Sequence, residues 1–197
     1  MKNVVFDIGA VLVEWDPALA WVDDLGQAET DAFLKRINFD KLNLACDAGA
    51  TFNEAASLLD DPNDAALLRQ YVERYAQTVP NKIQGTWDIL RALKAKGARV
   101  FAITNWSAET WPEGCKAHPE LAEAFEFTVV SGQVGMIKPS VEIFSHFCVE
   151  AGVDPADCIF TDDGLHNCLG AKAAGMDAIH FTGPDALKAG LKQRGLL

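Results

Sequence analysis

Apolar positions fall into two regimes along the chain. At the start, residues 3–6 and Val11–Val13 form short apolar runs on either side of Gly9. After Pro80 such runs return: Arg99–Ile103, Phe125–Val130, Cys158–Thr161 and Ala178–Phe181. Each is short, apolar and bounded by turn residues, which predicts buried strands. Between them lie helical stripes. Trp87, Leu90, Ala92 and Leu93 end at Gly97, a helix opened by Pro139 runs through Ile143, Phe144 and Phe147 to Gly152, Leu165–Ala174 stops at Gly175, and Pro184–Gln193 comes last. Strands alternating with helices predict an α/β fold, a Rossmann-like doubly wound parallel sheet.

From Trp15 to Thr78 the period is helical throughout. Asp16-Pro17 predicts an N-cap and first turn, with a helix through Leu19, Trp21, Val22 and Leu25 to Gly26. Thr30 is read as the start of the next helix. Thr51 and Glu54 have capping-box spacing. Asp61-Pro62 breaks that helix, and one further helix carries Leu67, Leu68, Tyr71, Val72 and Tyr75. Cys46-Asp47-x-Gly49 reads as a turn between helices. The expected organisation is an α/β core of residues 1–14 and 80–197, with a small α-helical insert, residues 15–79.

Charge and composition narrow the function. Seventeen Lys and Arg against 28 Asp and Glu give a net charge of −11, which excludes the electrostatic footprint of a nucleic-acid or anionic-membrane binder. A small anion can still bind where local cations or N–H groups offset the field. The five cysteines form no Cys-x-x-Cys pair, as expected of reduced thiols in the cytoplasm. The N-terminus shows no secretory pattern, and no apolar stretch suggests a membrane span. Oligomeric state is not legible.

Candidate chemistry sits at strand ends: Asp7, Thr104-Asn105 and Asp162-Asp163, with Lys138 before a helix. In a parallel sheet all strand C-termini share one edge, so these residues can converge. Taken singly, each has an ordinary local role as a turn, cap or surface residue. Together they place carboxylates around a lysine. Oxygen-only donors suit Mg²⁺, and Thr and Asn can hydrogen-bond an anion. The four histidines have no metal-ligand spacing with the cysteines. Trp15, Trp21 and Trp106 are candidates for lining a site or for core packing.

The order of these motifs resembles the haloacid dehalogenase-like (HAD) hydrolase superfamily over essentially the whole chain. Phe6-Asp7-Ile8-Gly9, Ile103-Thr104-Asn105, Lys138-Pro139 and Asp162-Asp163-Gly164-Leu165-His166-Asn167 are similar to its four motifs in turn. The insert resembles the type 1 cap of subfamily I. Trp111-Pro112-Glu113 and Gly135-Met136-Ile137-Lys138-Pro139 look most like bacterial α-D-glucose-1-phosphate phosphatases. The resemblance implies an aspartyl-phosphate on Asp7, formed from a small phosphorylated metabolite such as a sugar phosphate. It implies Mg²⁺ on Asp7, the Gly9 carbonyl and Asp163, supported by Asp162 and Asn167. Thr104, Asn105 and Lys138 would hold the phosphoryl group, and the cap would close over the substrate.

One departure stands out. Phosphatases of this superfamily usually carry a second Asp two residues after the nucleophile, as general acid. Here that position is Gly9. Three readings follow: a phosphatase with another proton source, for which Glu14 and Asp16 are candidates; a 2-haloacid dehalogenase, which expels halide and needs no such acid; or a catalytically weak binding relative.

Overall fold

The computed structural model describes residues 3–197; of the expected core segment 1–14, Met1 and Lys2 lie outside it. Five parallel strands form one sheet: β1 (Asn3–Phe6), β2 (Val100–Thr104), β3 (Thr128–Val130), β4 (Cys158–Asp162) and β5 (Asp177–His180), in the order β3-β2-β1-β4-β5. β1 is central, and its four residues are all buried. Both faces of the sheet are covered, which is why the strands read as continuous apolar runs rather than alternating ones. The chain reverses direction of winding between β1 and its two neighbours, so a crevice opens at the strand C-termini there.

Six helices lie between β1 and β2's own helix: α1 (Val22–Leu25), α2 (Gln27–Arg36), α3 (Phe39–Asp47), α4 (Phe52–Ser57), α5 (Pro62–Arg69) and α6 (Tyr71–Thr78). They are followed by α7 (Gln84–Ala95), α8 (Trp111–Ala117), α9 (Ser131–Val134), α10 (Val141–Ala151), α11 (Leu165–Ala173) and α12 (Pro184–Gln193). Asp16 caps a short 3₁₀ turn at Pro17–Ala20. Thr51 and Glu54 form the expected capping box on α4.

Local readings changed in four places. Val11–Val13 is a turn stitched by isolated bridges, Val13 to Gly9 and Val13 to Lys82, not a strand; Ala10 has φ 56°, which breaks the extended run. α2 starts after Gly26, at φ 75°, rather than at Thr30, whose side chain is fully buried within the helix. The stripe Leu67–Tyr75 is two helices, broken at Gln70. Cys46 and Asp47 are the last turn of α3, and the turn comes after them.

The helical insert has no separate interior. Trp21, Phe33, Phe39 and Tyr71 pack edge-on and stacked, with centroids 5.1–6.0 Å apart. They belong to the same apolar cluster as Val4 and Phe6 of β1. Tyr75 of α6 continues the cluster onto Trp106, centroids 5.4 Å apart. A second cluster, built on Val5, Phe101, Phe144, Phe147 and Phe160, fills the opposite face of the sheet. Among the described residues no helix is long and apolar enough to cross a membrane.

Candidate active site

The polar strand ends converge. Asp7 leaves β1 and lies 7% exposed; Lys138 is 2% exposed, and Asp162, the last residue of β4, is fully buried. Lys138 Nζ stands 2.8 Å from Asp7 Oδ1 and 2.6 Å from Asp162 Oδ2. Ile8 N–H also donates to Asp7 Oδ1, at 2.7 Å, so both contacts fall on one oxygen of Asp7. Asp162 Oδ1 accepts from Gly164 N–H at 2.7 Å and from Asn167 Nδ2 at 2.9 Å. Its two oxygens are therefore engaged inside the protein.

Lys138 is held from behind. Its backbone N–H donates to Asn105 Oδ1 at 2.8 Å, and Asn105 Nδ2 donates back to its carbonyl at 3.1 Å. The side chain of Asn105 thus grips the Lys138 peptide rather than reaching into the cleft. Gly170 of α11 permits the close approach on the other side, because an added Cβ would sit 2.2 Å from the Pro139 carbonyl oxygen. Phe160 lies 5.5 Å from Nζ and adds a ring face to the ammonium.

Two carboxylates share one cation, and the consequences differ. Burial raises Asp162, but Lys138, Asn167 and Gly164 outweigh it and hold the carboxyl below its ordinary value. Burial raises Asp7 far more, and neighbouring Asp162 adds to it; Lys138 compensates only in part. Burial works against the charge of Lys138, yet Asp7 and Asp162 together hold its pKa above the usual lysine value. Asp163 is raised by burial and by Asp162. One lysine is too little positive charge for this group.

Asp7, Asp162 and Asp163 each offer a carboxylate oxygen, all within 4.8 Å of one another. Oxygen-only donors with surplus negative charge fit a hard divalent cation. The residues present therefore suit Mg²⁺, with Asp163 the freer direct donor of the acidic pair. Asn167 braces Asp162, and its own Oδ1 is buried without a partner. Thr104, at the end of β2, is 1% exposed, and its hydroxyl is also unpartnered. An orphaned buried hydroxyl is costly; this one stands at the C-terminal end of β2, the strand paired with β1.

A cleft of about 220 Å³ opens over the cluster. Its floor is Asp7, Gly9, Asn105 and Asp163; its walls are Trp15, Asn43, Asp47, Tyr75, Trp106 and Thr110. Trp15 and Trp106 thus belong to the site, whereas Trp21 is core. Glu14 and Asp16 do not line the cleft. Glu14 accepts from Asn81, and Asp16 is occupied with the Ala18 N–H.

The sequence reading missed Asn43, Asp47, Tyr75 and Thr110 as wall residues. One signal was available for Asp47. It is an acidic residue in the last turn of a helix, at the negative end of the macrodipole, where Asp is unfavourable.

A model of haloacid dehalogenase-like hydrolases matches residues 1–175. The chain belongs to the haloacid dehalogenase-like hydrolase family. As a member of it, the chain is a hydrolase with a parallel Rossmann-like sheet. It is similar over its whole length to the sesquiterpene phosphatase astK of Aspergillus oryzae, 27% identical, with 96% of that protein covered. It is 23% identical to the fructose-1-phosphate phosphatase YqaB of Escherichia coli, over 90% of this chain and 94% of that one. Its fold is that of the HAD family enzyme bt-2542 of Bacteroides thetaiotaomicron, solved as a magnesium complex. The TM-score is 0.72 at 24% identity, covering 93% and 94% of the two chains.

Proposed function

We propose that this HAD-like hydrolase is a Mg²⁺-dependent phosphomonoesterase acting on a small phosphorylated metabolite of the sugar-phosphate kind. The observation that carries this reading is Lys138 held between Asp7 and Asp162 at the C-terminal edge of the sheet, the edge at which Thr104 ends β2 with its hydroxyl unpartnered. A nucleophile, a cation and an anion-binding hydroxyl then meet at one sheet edge.

Asp7 attacks phosphorus with a carboxylate oxygen, and the ester P–O bond breaks as an aspartyl-phosphate forms. Lys138 and Thr104 hold the phosphoryl oxygens; Asn105 keeps Lys138 in place. Water then cleaves the aspartyl-phosphate. Asp7, the Gly9 carbonyl and Asp163 would hold Mg²⁺, with Asp162 and Asn167 behind them. When bound, the ion supplies charge stabilisation to the transferring group. The walls Trp15, Tyr75 and Trp106 exclude water, and a cleft of about 220 Å³ suits a small substrate. Five free cysteines support a reducing, cytoplasmic setting.

Phosphate release from a panel of phosphorylated metabolites with Mg²⁺ tests the reading. Turnover is expected to fall on the order of 10⁴-fold or more in Asp7→Asn, as when other enzymes lose a nucleophile, and to stop on chelation. Chloride release from 2-chloropropionate without Mg²⁺, and no phosphate release from any metabolite, would replace it with the dehalogenase reading.

A further inference from the structure

Expelling a poor leaving group from a phosphate ester requires a proton at the departing oxygen. Gly9 has no side chain to give one, and Glu14 and Asp16 lie outside the cleft lining. The carboxyl groups that do line it are Asp7, Asp163 and Asp47. Asp7 is spent on attack, and Asp163 belongs to the acidic cluster that suits a cation. Asp47 is not part of that cluster and comes from α3 of the helical insert.

Resting on the phosphatase reading, we propose that Asp47, at the end of α3 in the helical insert, is the general acid and base of the reaction. In the first half its carboxyl proton passes to the leaving oxygen as the ester P–O bond breaks, releasing the alcohol. In the second half water attacks phosphorus and gives its proton to the Asp47 carboxylate. The bond from phosphorus to Asp7 breaks, and Asp7 leaves as carboxylate. Water is the only co-reactant, and the cycle ends with inorganic phosphate and Asp47 protonated again.

The wall is built to hold this side chain. Asp47 is 8% exposed. Asn43, one turn earlier, donates to its Oδ2 at 3.1 Å, and the Ser107 backbone N–H reaches the same carboxyl. Both donors are neutral, so they orient the group without fixing it as an ion. The turn after Asp47 is seated on the core: a Cβ at Gly49 would lie 3.7 Å from Gly132 O and 3.8 Å from Gly135 Cα. The charged and titratable groups around it are Lys138 from the core, Tyr71 and Tyr75 from α6, and Cys46 beside it, on which Glu109 and Glu54 also act. Burial pushes Asp47 up to about 7, with Lys138 and Ser107 pulling the other way. It therefore holds its proton near neutral pH, as an acid of this kind must.

Leaving-group dependence is the test. p-Nitrophenyl phosphate, whose phenolate departs unaided, is compared with benzyl phosphate, whose alcohol needs a proton. Asp47→Asn is expected to lose on the order of 10²-fold or more in kcat/KM, which reports the steps through release of the alcohol, on benzyl phosphate, and less than about tenfold in kcat/KM on p-nitrophenyl phosphate; loss of the base slows the shared second half on both. The wild-type enzyme is expected to show an alkaline decline in kcat/KM near pH 7 on benzyl phosphate only. An equal loss in kcat/KM on both substrates, or identical wild-type pH profiles of kcat/KM, would overturn the assignment and leave Asp47 as a binding residue. If the wild-type enzyme with Mg²⁺ hydrolyses neither ester nor any metabolite, it is the phosphatase reading that fails.

Discussion

The floor of the cleft and its wall bury carboxylates in opposite ways. On the floor, at the sheet edge, Asp162 is fully buried and yet held as an anion, because Lys138 stands 2.6 Å away and two further donors complete its shell. On the wall, Asp47 is buried almost as deeply, but its hydrogen-bond donors are neutral, and burial raises it to about 7. Depth alone does not set protonation, and neither does one nearby cation: Lys138 with two further donors holds Asp162 ionised, whereas Asp7, 2.8 Å from the same lysine, is still pushed up by burial and by Asp162. A site of this kind needs both conditions, an ionised group to attack or hold a cation and a protonated one to release the product. The sheet edge supplies the first at Asp162, where Lys138, Asn167 and Gly164 gather; Asp7 and Asp163 would need a bound cation to join it. The helical insert supplies the second, since it can bring a single carboxyl down without bringing a cation.

Removing the floor's cation is the hardest blow to this contrast. Lys138→Met leaves Asp7 and Asp162 buried with no counter-charge. It is expected to cost about 3–5 kcal/mol of stability, as for other broken buried pairs, and to abolish turnover. Urea unfolding reads the first and phosphate release the second; a variant as stable as the wild type would show that the floor does not depend on charge pairing.

The wall makes a prediction of opposite sign. The folded-state pKa of Asp47 lies above its ordinary 3.8, so the folded state binds the extra proton between about pH 4 and pH 7. Stability contributed this way is full below that window and is lost as pH rises through about 7. Asp47→Asn removes the titration. Its melting temperature relative to wild type is expected to be several degrees higher at pH 8 than at pH 5, at about 2–4 °C per kcal/mol for a chain of this size. A difference that does not vary with pH would place the charged form of Asp47 in a well-solvated setting.

The smallest stability effect belongs to Thr104. Its hydroxyl is buried and unpartnered, so Thr104→Val should leave stability within about 0.5 kcal/mol of wild type or raise it. Activity is nevertheless expected to drop about tenfold, the scale of one hydrogen bond at about 1.4 kcal/mol. Loss of stability without loss of activity would make Thr104 structural.

The two regions were not equally legible. Asp7, Thr104 and Asp162 each end an apolar run, and parallel pairing alone brings such ends to one edge. That is why the floor could be assembled from spacing. Nothing local says that the Asn105 amide also grips the Lys138 peptide, a contact that spacing does not reveal. Asp47 depends on how α3 lies across the core, a tertiary property. In sequence, Asp47 followed by Gly49 reads as turn chemistry, and its place in the last turn of α3 counts as a signal only once that helix is seen to run through it. The helix boundaries erred for a related reason. Thr30 has the residue type of a cap, but tertiary packing buries it inside α2.

The single apolar cluster that runs from β1 through Trp21, Phe33 and Tyr71 has a mechanical consequence. A lid hinged on two linkers would carry its own interior and swing as a rigid body. Here, lifting the helices off the sheet would open a shared seam at Tyr75 and Trp106, and each large aromatic exposed costs about 1.5–3 kcal/mol. Wide excursions of the insert are therefore costly, and Trp15, which lines the cleft, is its half-exposed ring. The insert and the sheet melt as one cooperative unit, with a single calorimetric transition as the signature.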